Sequence, residues 1–363
     1  MSLPLGAAIL ASAIALALPA RPALASEASG QRGDSIMRAH SASEDARERA
    51  GDTRPEPGSS ARAPQTFPSR SVHLVVSYAP GGTGDIVARL ISDKLAAALG
   101  QSVVVENRAG ASGSIGAQSV VAAPPDGHTL LVGQPAEVAI NQHWIKGLIY
   151  DPIRDLQPVA LATIVPLALV IPSAAPYATL PDMLKASAAR GLTFASAGTG
   201  TPGHFAGELL KLRTNSNLTH VPYKGAAPAL NDLLGSHVDF FFSGFPAAWA
   251  QVKAGKLKLV AVSPAIRSPA APDVPTVAEA AGLAGFDISL WQGVFAPRAT
   301  PKEVVARLNA EINRIVTEPD IRAKLRDDGA VVTPLTVDEF GAFVKAESEK
   351  YLNIIKQSGV TPE

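Results

Sequence analysis

Val72-His73-Leu74-Val75-Val76-Ser77-Tyr78-Ala79-Pro80-Gly81-Gly82-Thr83-Gly84-Asp85 opens the stretch that decides the fold. The valine-rich run 72–76 reads as a buried strand, residues 79–84 as a turn, and residues 85–99 as a helix ended by Gly100. Val103-Val104-Val105 is the next strand. Strand, glycine-rich turn, helix and strand in that order make a βαβ unit, whose crossover is right-handed and builds a parallel sheet.

The same grammar recurs downstream. Strands are expected at 129–132, 192–195, 238–242 and 257–262, with a helix from about 202 to 212. Residues 159–171 and 288–295 are long β-prone runs, the first holding Pro166 and the second followed by Pro297. Pairing them as two crossings makes one lobe discontinuous, residues 67–166 plus 290–363, with the other lobe, 167–289, inserted. A cleft then lies between the lobes. Residues 300–316, 318–328 and 337–357 read as three closing helices, with Pro301 and Pro319 in first turns.

The N-terminal part differs in kind. An apolar run over residues 3–18 ends at Pro19, and Ala23-Leu24-Ala25 has the small-x-small pattern of a signal-peptidase site. Residues 1–25 are therefore expected to be an export signal, since a membrane span needs about 20 apolar residues. Residues 26–66 hold no aromatic residue, alternate Arg with Glu and Asp, and read as a disordered tether.

Composition narrows the function. With 363 residues, two domains of about 150 each are expected. Lys and Arg total 32 against 32 Asp and Glu, so no global basic field exists to gather on nucleic acid. The chain has no cysteine, which removes disulfides, thiolate metal sites and thiol nucleophiles. There is no G-x-S-x-G elbow and no H-E-x-x-H, and the 7 His are scattered without metal-ligand spacing.

Three glycine-rich turns remain as candidate sites. Pro80-Gly81-Gly82-Thr83-Gly84-Asp85 lets backbone N–H groups converge at a helix N-terminus, which suits a carboxylate or phosphate. Its bland reading is a βα turn capped by Thr83 or Asp85. Gly198-Thr199-Gly200-Thr201-Pro202-Gly203 matches G-x-G-x-x-G but falls mid-chain, and no acid stands at the end of the next strand, as a dinucleotide site requires. Ser196, Thr199 and Thr201 instead offer hydroxyl donors there, or simply cap the helix. The third turn, residues 107–116, serves ligand approach or close backbone packing. His204 and Lys224 are basic residues near a candidate loop, as general bases or as capped and solvated side chains.

From about residue 67 to 360 the chain resembles the Bug (TctC-like) receptors of tripartite tricarboxylate transporters. The resemblance is carried, in order, by Tyr78-Ala79-Pro80-Gly81-Gly82-Thr83-Gly84-Asp85-Ile86-Val87-Ala88-Arg89, Val105-Glu106-Asn107-Arg108, Pro125-Asp126-Gly127-His128-Thr129-Leu130, His220-Val221-Pro222-Tyr223-Lys224-Gly225 and Pro272-Asp273-Val274-Pro275-Thr276-Val277-Ala278-Glu279. It implies an α/β, two-lobed periplasmic binding protein type II fold that closes on a small carboxylate without catalysis, cofactor or metal. It also implies export to the periplasm, a monomer, and partners that are membrane transporter subunits or a sensor kinase, with no nucleic acid.

Matching residue by residue, ligand contacts are expected from Tyr78, Gly82, Thr83, Gly84 and Asp85 in the first loop and from Ser196, Gly198, Thr199 and Thr201 in the second, with His204 and Lys224 at the rim. Two places depart from the family pattern. Gln134-Pro135-Ala136-Glu137 stands where many members carry small hydroxyl residues, and Ser243-Gly244 where an acid or amide is frequent. By the matching, Gln134, Glu137 and Ser243 face the cleft, where Glu137 repels a second carboxylate unless it binds an amine or hydroxyl of the ligand. The competing readings are a nucleotide-dependent enzyme using residues 198–203 and a structural envelope protein.

Overall fold

The computed structural model describes residues 67–358, and the expected signal (1–25) and tether (26–66) lie outside the described residues. The strands are β1 (Val72–Val76), β2 (Val103–Asn107), β3 (Thr129–Gly133), β4 (Leu156–Pro172), β5 (Leu192–Ser196), β6 (Leu218–Pro222), β7 (Phe240–Gly244), β8 (Leu257–Val262) and β9 (Ser289–Pro297). They follow the order β2-β1-β3-β9-β4-β7-β5-β6, with β8 added on β4.

Two parallel cores form around β1 and β5. β1 lies between β2 and β3, and β5 between β6 and β7, all in parallel register. Each core is built from strand, turn and helix, and helices cover the sheets so that the strands can be apolar on both faces. Helix Thr83–Leu99 shows why: Val87, Ala88, Ile91, Leu95 and Leu99 recur at helical spacing and are all buried. Its end is set by Gly100, left-handed at φ 71°, whose N–H returns to the Ala96 carbonyl.

The long strands β4 and β9 join the two cores, giving the two-lobed α/β architecture. β4 pairs antiparallel with β9 from Leu156 to Pro166 and then changes partner, pairing with β7 from Leu167 to Val170 and with β8 from Ala168 to Pro172. The change falls at a proline, which has no N–H to give a ladder. Another register shift on β4 falls at Pro158, for the same reason.

Helices Lys302–Thr317, Pro319–Asp327 and Val337–Ser358 close the chain. The first presents Val304, Val305, Leu308, Ile312, Ile315 and Val316 as one buried stripe. Element bounds differ from their sequence expectation by up to three residues, and two of the shifts bear on the cavity. Helix Thr83–Leu99 starts two residues early, because the Asp85 carboxylate reaches back to accept from Gly81 N at 2.9 Å. β7 runs two residues further than expected, so Ser243 and Gly244 belong to the strand itself.

Candidate ligand-binding cleft

The carboxyl ends of β1, β3, β5 and β7 converge on one cavity, the place where α/β sheets put their ligands. Tyr78, Gly82, Thr83 and Gly84 enter it from the turn after β1, Gln134 from the end of β3, and Ala197, Thr201, Pro202 and Gly203 from the turn after β5. Leu167, Phe241, Phe242 and Leu290 give it an apolar wall, completed by Ala226 and Gly244. It offers about 40 Å³ to the centres of water-sized molecules. One water needs roughly 10–15 Å³ on that measure, so the cavity can stay hydrated when no solute is bound.

Four helices begin at this cavity: Thr83–Leu99, Pro202–Thr214, Ala226–Leu234 and Phe245–Lys253. Their N-cap residues are Gly82, Thr201, Gly225 and Gly244, and no side chain caps any of them by a hydrogen bond. The first N–H groups of a helix have no intrahelical partner, and each terminus carries roughly half a positive charge. The cavity-lining residues include no Lys, Arg, His, Asp or Glu. An anion held there is therefore met by peptide dipoles, each contributing about 0.3–1 kcal/mol when exposed and up to about 2 when partly buried.

Thr83 points to the same chemistry. It is buried, it lines the cavity, and its hydroxyl has no hydrogen-bond partner. Opposite stands Gly244, where an added Cβ would come within 2.1 Å of Thr83 Oγ1. Glycine is thus required for these two segments to approach so closely. Gly203 has a similar duty, since a Cβ there would meet the Phe242 carbonyl at 2.5 Å.

Of the residues expected at the site, Tyr78, Gly82, Thr83, Gly84, Gln134 and Thr201 line the cavity. Thr201 donates to the Gly198 carbonyl at 2.6 Å, so its hydroxyl enters as an acceptor. The others are placed differently. Asp85 is buried beside the turn, and burial opposes its ionisation; hydrogen bonds from Arg89, Gly81 N and Asn107 outweigh that and hold its carboxyl below the usual range. Its work is to brace the loop.

Ser196 Oγ donates to the Gly198 carbonyl at 2.9 Å and lies 2.7 Å from His220 Nε2. Thr199 gives its carbonyl to Ser112 Oγ, and is not among the lining residues. His204, expected at the rim, is buried: it accepts from Gly200 N at 3.0 Å and stacks on His220 with ring centroids 4.1 Å apart. Burial, aided by the positive charge of a protonated His220 and of Lys211, pulls His204 down to about 3, and burial with Lys211 brings His220 to about 4. Both imidazoles are neutral structural groups at pH 7. Lys224 is exposed and outside the lining. Ser243 turns its hydroxyl onto the Gly244 carbonyl at 3.1 Å.

Glu137 departs furthest from its expected place. It does not face the cleft: it is fully buried in a π-helical segment, Ala136–Ile140, behind Tyr78 and Gln134. Packing of Val138, Ala139 and Ile140 into the core draws it inward. Gln292 was not foreseen. Its Nε2 donates to Gln134 Oε1 at 3.2 Å while its own Oε1 has no partner and lies against Gly84. The signal available was a lone amide in the apolar run Ser289–Pro297.

Among the described residues no cluster of His, Asp and Glu is arranged to hold a metal, and no helix is long and apolar enough to cross a membrane.

A two-lobed sheet with a cation-free cavity at facing helix N-termini defines a solute-binding protein. Residues 87–360 match the family described as tripartite tricarboxylate transporter family receptor, and the chain belongs to that family. A protein from the tcbD-tcbE intergenic region of Pseudomonas sp. (strain P51) is 40% identical over 291 residues, covering 80% of this chain and 86% of that one. Among solved structures, an R. palustris protein with adipate is 35% identical and covers 82% of this chain and 100% of its own, with TM-score 0.79. MatC from Rhodopseudomonas palustris, with bound malate, is 36% identical with TM-score 0.76, covering 80% and 100%.

Proposed function

We propose that this protein is exported to the periplasm, captures a small carboxylate between its lobes, and hands it to the membrane subunits of a tripartite transporter or to a sensor. The observation that carries this reading is the convergence of four uncapped helix N-termini on a cavity with no charged side chain. The carboxylate sits on the N–H groups of Thr83, Gly84 and Gly203 and on the unpartnered Thr83 hydroxyl, and its carbon chain lies against Leu167, Phe241, Phe242 and Leu290. Malate in MatC and adipate in the R. palustris relative support that ligand class.

We take the lobes as residues 67–166 with 290–363, and 167–289, a division supported by the change of strand partner between Pro166 and Leu167. Closure then brings Thr83 and Gly84 from one lobe and Thr201 and Gly203 from the other onto one anion. The test is a thermal-shift screen with mono-, di- and tricarboxylates, with uncharged amides of the same acids as controls. Stabilisation follows RT ln(1 + [L]/Kd), so a solute at a hundred times its Kd adds about 2.7 kcal/mol. Carboxylates that raise the melting temperature while their amides do not support the reading, and the reverse overturns it.

A further inference from the structure

Glu137 is a carboxyl group with nowhere to keep a charge. It is fully buried, and it takes part in no ion pair among the described residues. Its Oε2 is 3.1 Å from the Tyr78 hydroxyl, its Oε1 accepts from Gln134 N at 3.1 Å, and its own carbonyl accepts from Tyr150 Oη at 2.7 Å. Gly113 packs so closely that a Cβ there would meet Glu137 Oε2 at 2.6 Å, which closes that side of the carboxyl to any further group.

We propose that Glu137 is a positioning residue that works as an uncharged acid: while it keeps its proton it turns Tyr78 into a hydrogen-bond donor on the cavity wall, and when it loses the proton that wall repels a carboxylate. This rests on the carboxylate reading above. The geometry gives the switch its sense. As an acid, Glu137 carries the hydrogen on Oε2 and donates it to the Tyr78 oxygen, which frees the phenolic hydrogen. As a carboxylate it must accept from Tyr78 instead, so the donor turns away and a negative charge appears one side chain behind the cavity. Tyr78 and Gln134 both line that cavity.

The surrounding groups leave the proton on Glu137. Tyr78 and Tyr150 are the titratable groups facing it, and burial raises both phenols. From helix Val337–Ser358 the buried charged group is Glu347, which accepts from Trp291 Nε1 at 3.0 Å and pairs with Lys350. Helix Asn141–Trp144 brings His143, lowered by burial and by Lys356 and held 2.7 Å from Ser348 Oγ. Helix Pro152–Asp155 brings Arg154 and Asp155, paired with each other. The segments Ala111–Gly113 and Ser114–Val121 bring no titratable side chain. Burial, only partly offset by hydrogen bonds from Gln134 N and Tyr78, raises Glu137 to about 8.

The experiment measures Kd for malate and adipate by calorimetry from pH 6.5 to 9.5 in the wild type and in Glu137→Gln, whose amide can donate to Tyr78 at every pH. The expected result is a wild-type Kd that rises above pH 8 toward tenfold per pH unit, the limit for one linked proton, and a flat profile for Glu137→Gln. A flat wild-type profile, or the same slope in both proteins, overturns the proposal. An infrared difference spectrum of ligand-free wild type minus Glu137→Gln at pH 7 decides independently of any ligand. A protonated-carboxyl band supports the proposal, and a carboxylate band in its place refutes it. If no carboxylate of the screen binds at pH 6.5 the carboxylate reading fails, while the infrared band still decides the state of Glu137.

Discussion

Thr83→Val separates binding from folding at one atom. The Thr83 hydroxyl is buried at the cavity and has no protein partner, so the variant deletes a polar atom that the ligand-free fold does not use. A buried hydroxyl left without a partner costs about 1–3 kcal/mol, so its removal is neutral or stabilising, depending on how well cavity water serves it. At roughly 2–4 °C per kcal/mol or less for a domain of this size, the variant melts at or slightly above the wild-type temperature. Binding moves the other way. A hydrogen bond to a charged acceptor is worth about 1.5–3 kcal/mol, so malate or adipate affinity falls roughly ten- to hundredfold at 1.4 kcal/mol per decade. Calorimetry and a melting curve on the same sample read both. Wild-type affinity in Thr83→Val would refute the placement of the anion at this helix N-terminus, and a melting point several degrees lower would refute the unpartnered hydroxyl.

Gly244→Ala forces a Cβ to within 2.1 Å of Thr83 Oγ1 and 2.9 Å of Leu290, so affinity should fall at least tenfold with a loss of about 1–3 kcal/mol in stability. Gly207→Ala drives into the Phe194 ring at 2.1 Å, one helical turn beyond Gly203 and outside the cavity lining, and should lose similar stability while the folded fraction still binds; paired melts and titrations distinguish the two. His204 and His220, lowered to about 3 and 4, stay neutral in the fold but take up protons on unfolding near pH 6.5. The unfolded chain then binds more protons, so stability falls as pH drops from 6.5 toward 4, by at most about 1.4 kcal/mol per pH unit for each group. A His204→Gln/His220→Gln double variant should show a shallower acid slope in melts from pH 7 to 4.5. Glu137, raised to about 8, has the opposite sense: the fold holds a proton that the unfolded chain releases above about 4.5, so stability declines as pH rises from there through 8. Glu137→Gln should melt higher than wild type at pH 8, with the gap closing toward pH 5.

Where the fold was legible, local chemistry and tertiary packing agreed. The run Val72–Val76, the turn glycines and the helical spacing of Val87, Ile91 and Leu95 each carry a period that survives in the structure. Pro166 likewise marked the place where β4 changes partner, because a missing N–H acts locally. The cavity was legible in part, through Gly82, Thr83, Gly84 and Thr201, since a glycine-rich turn before a helix announces its free N–H groups. What sequence could not show depended on partners distant in the chain. Glu137 is buried by its neighbours rather than by its own polarity, His204 is stacked because the register Phe194↔His220 brings a second imidazole over it, and Thr199 is turned by Ser112. Gln292 lies more than 150 residues from its partner Gln134.

The most direct test of the central claim is a crystal structure with the carboxylate that binds best. The account predicts carboxylate oxygens about 2.7–3.1 Å from the backbone N–H groups of Thr83, Gly84 and Gly203 and from Thr83 Oγ1, with no cationic side chain in contact. A ligand held by Lys or Arg side chains, or seated away from these helix N-termini, would contradict it.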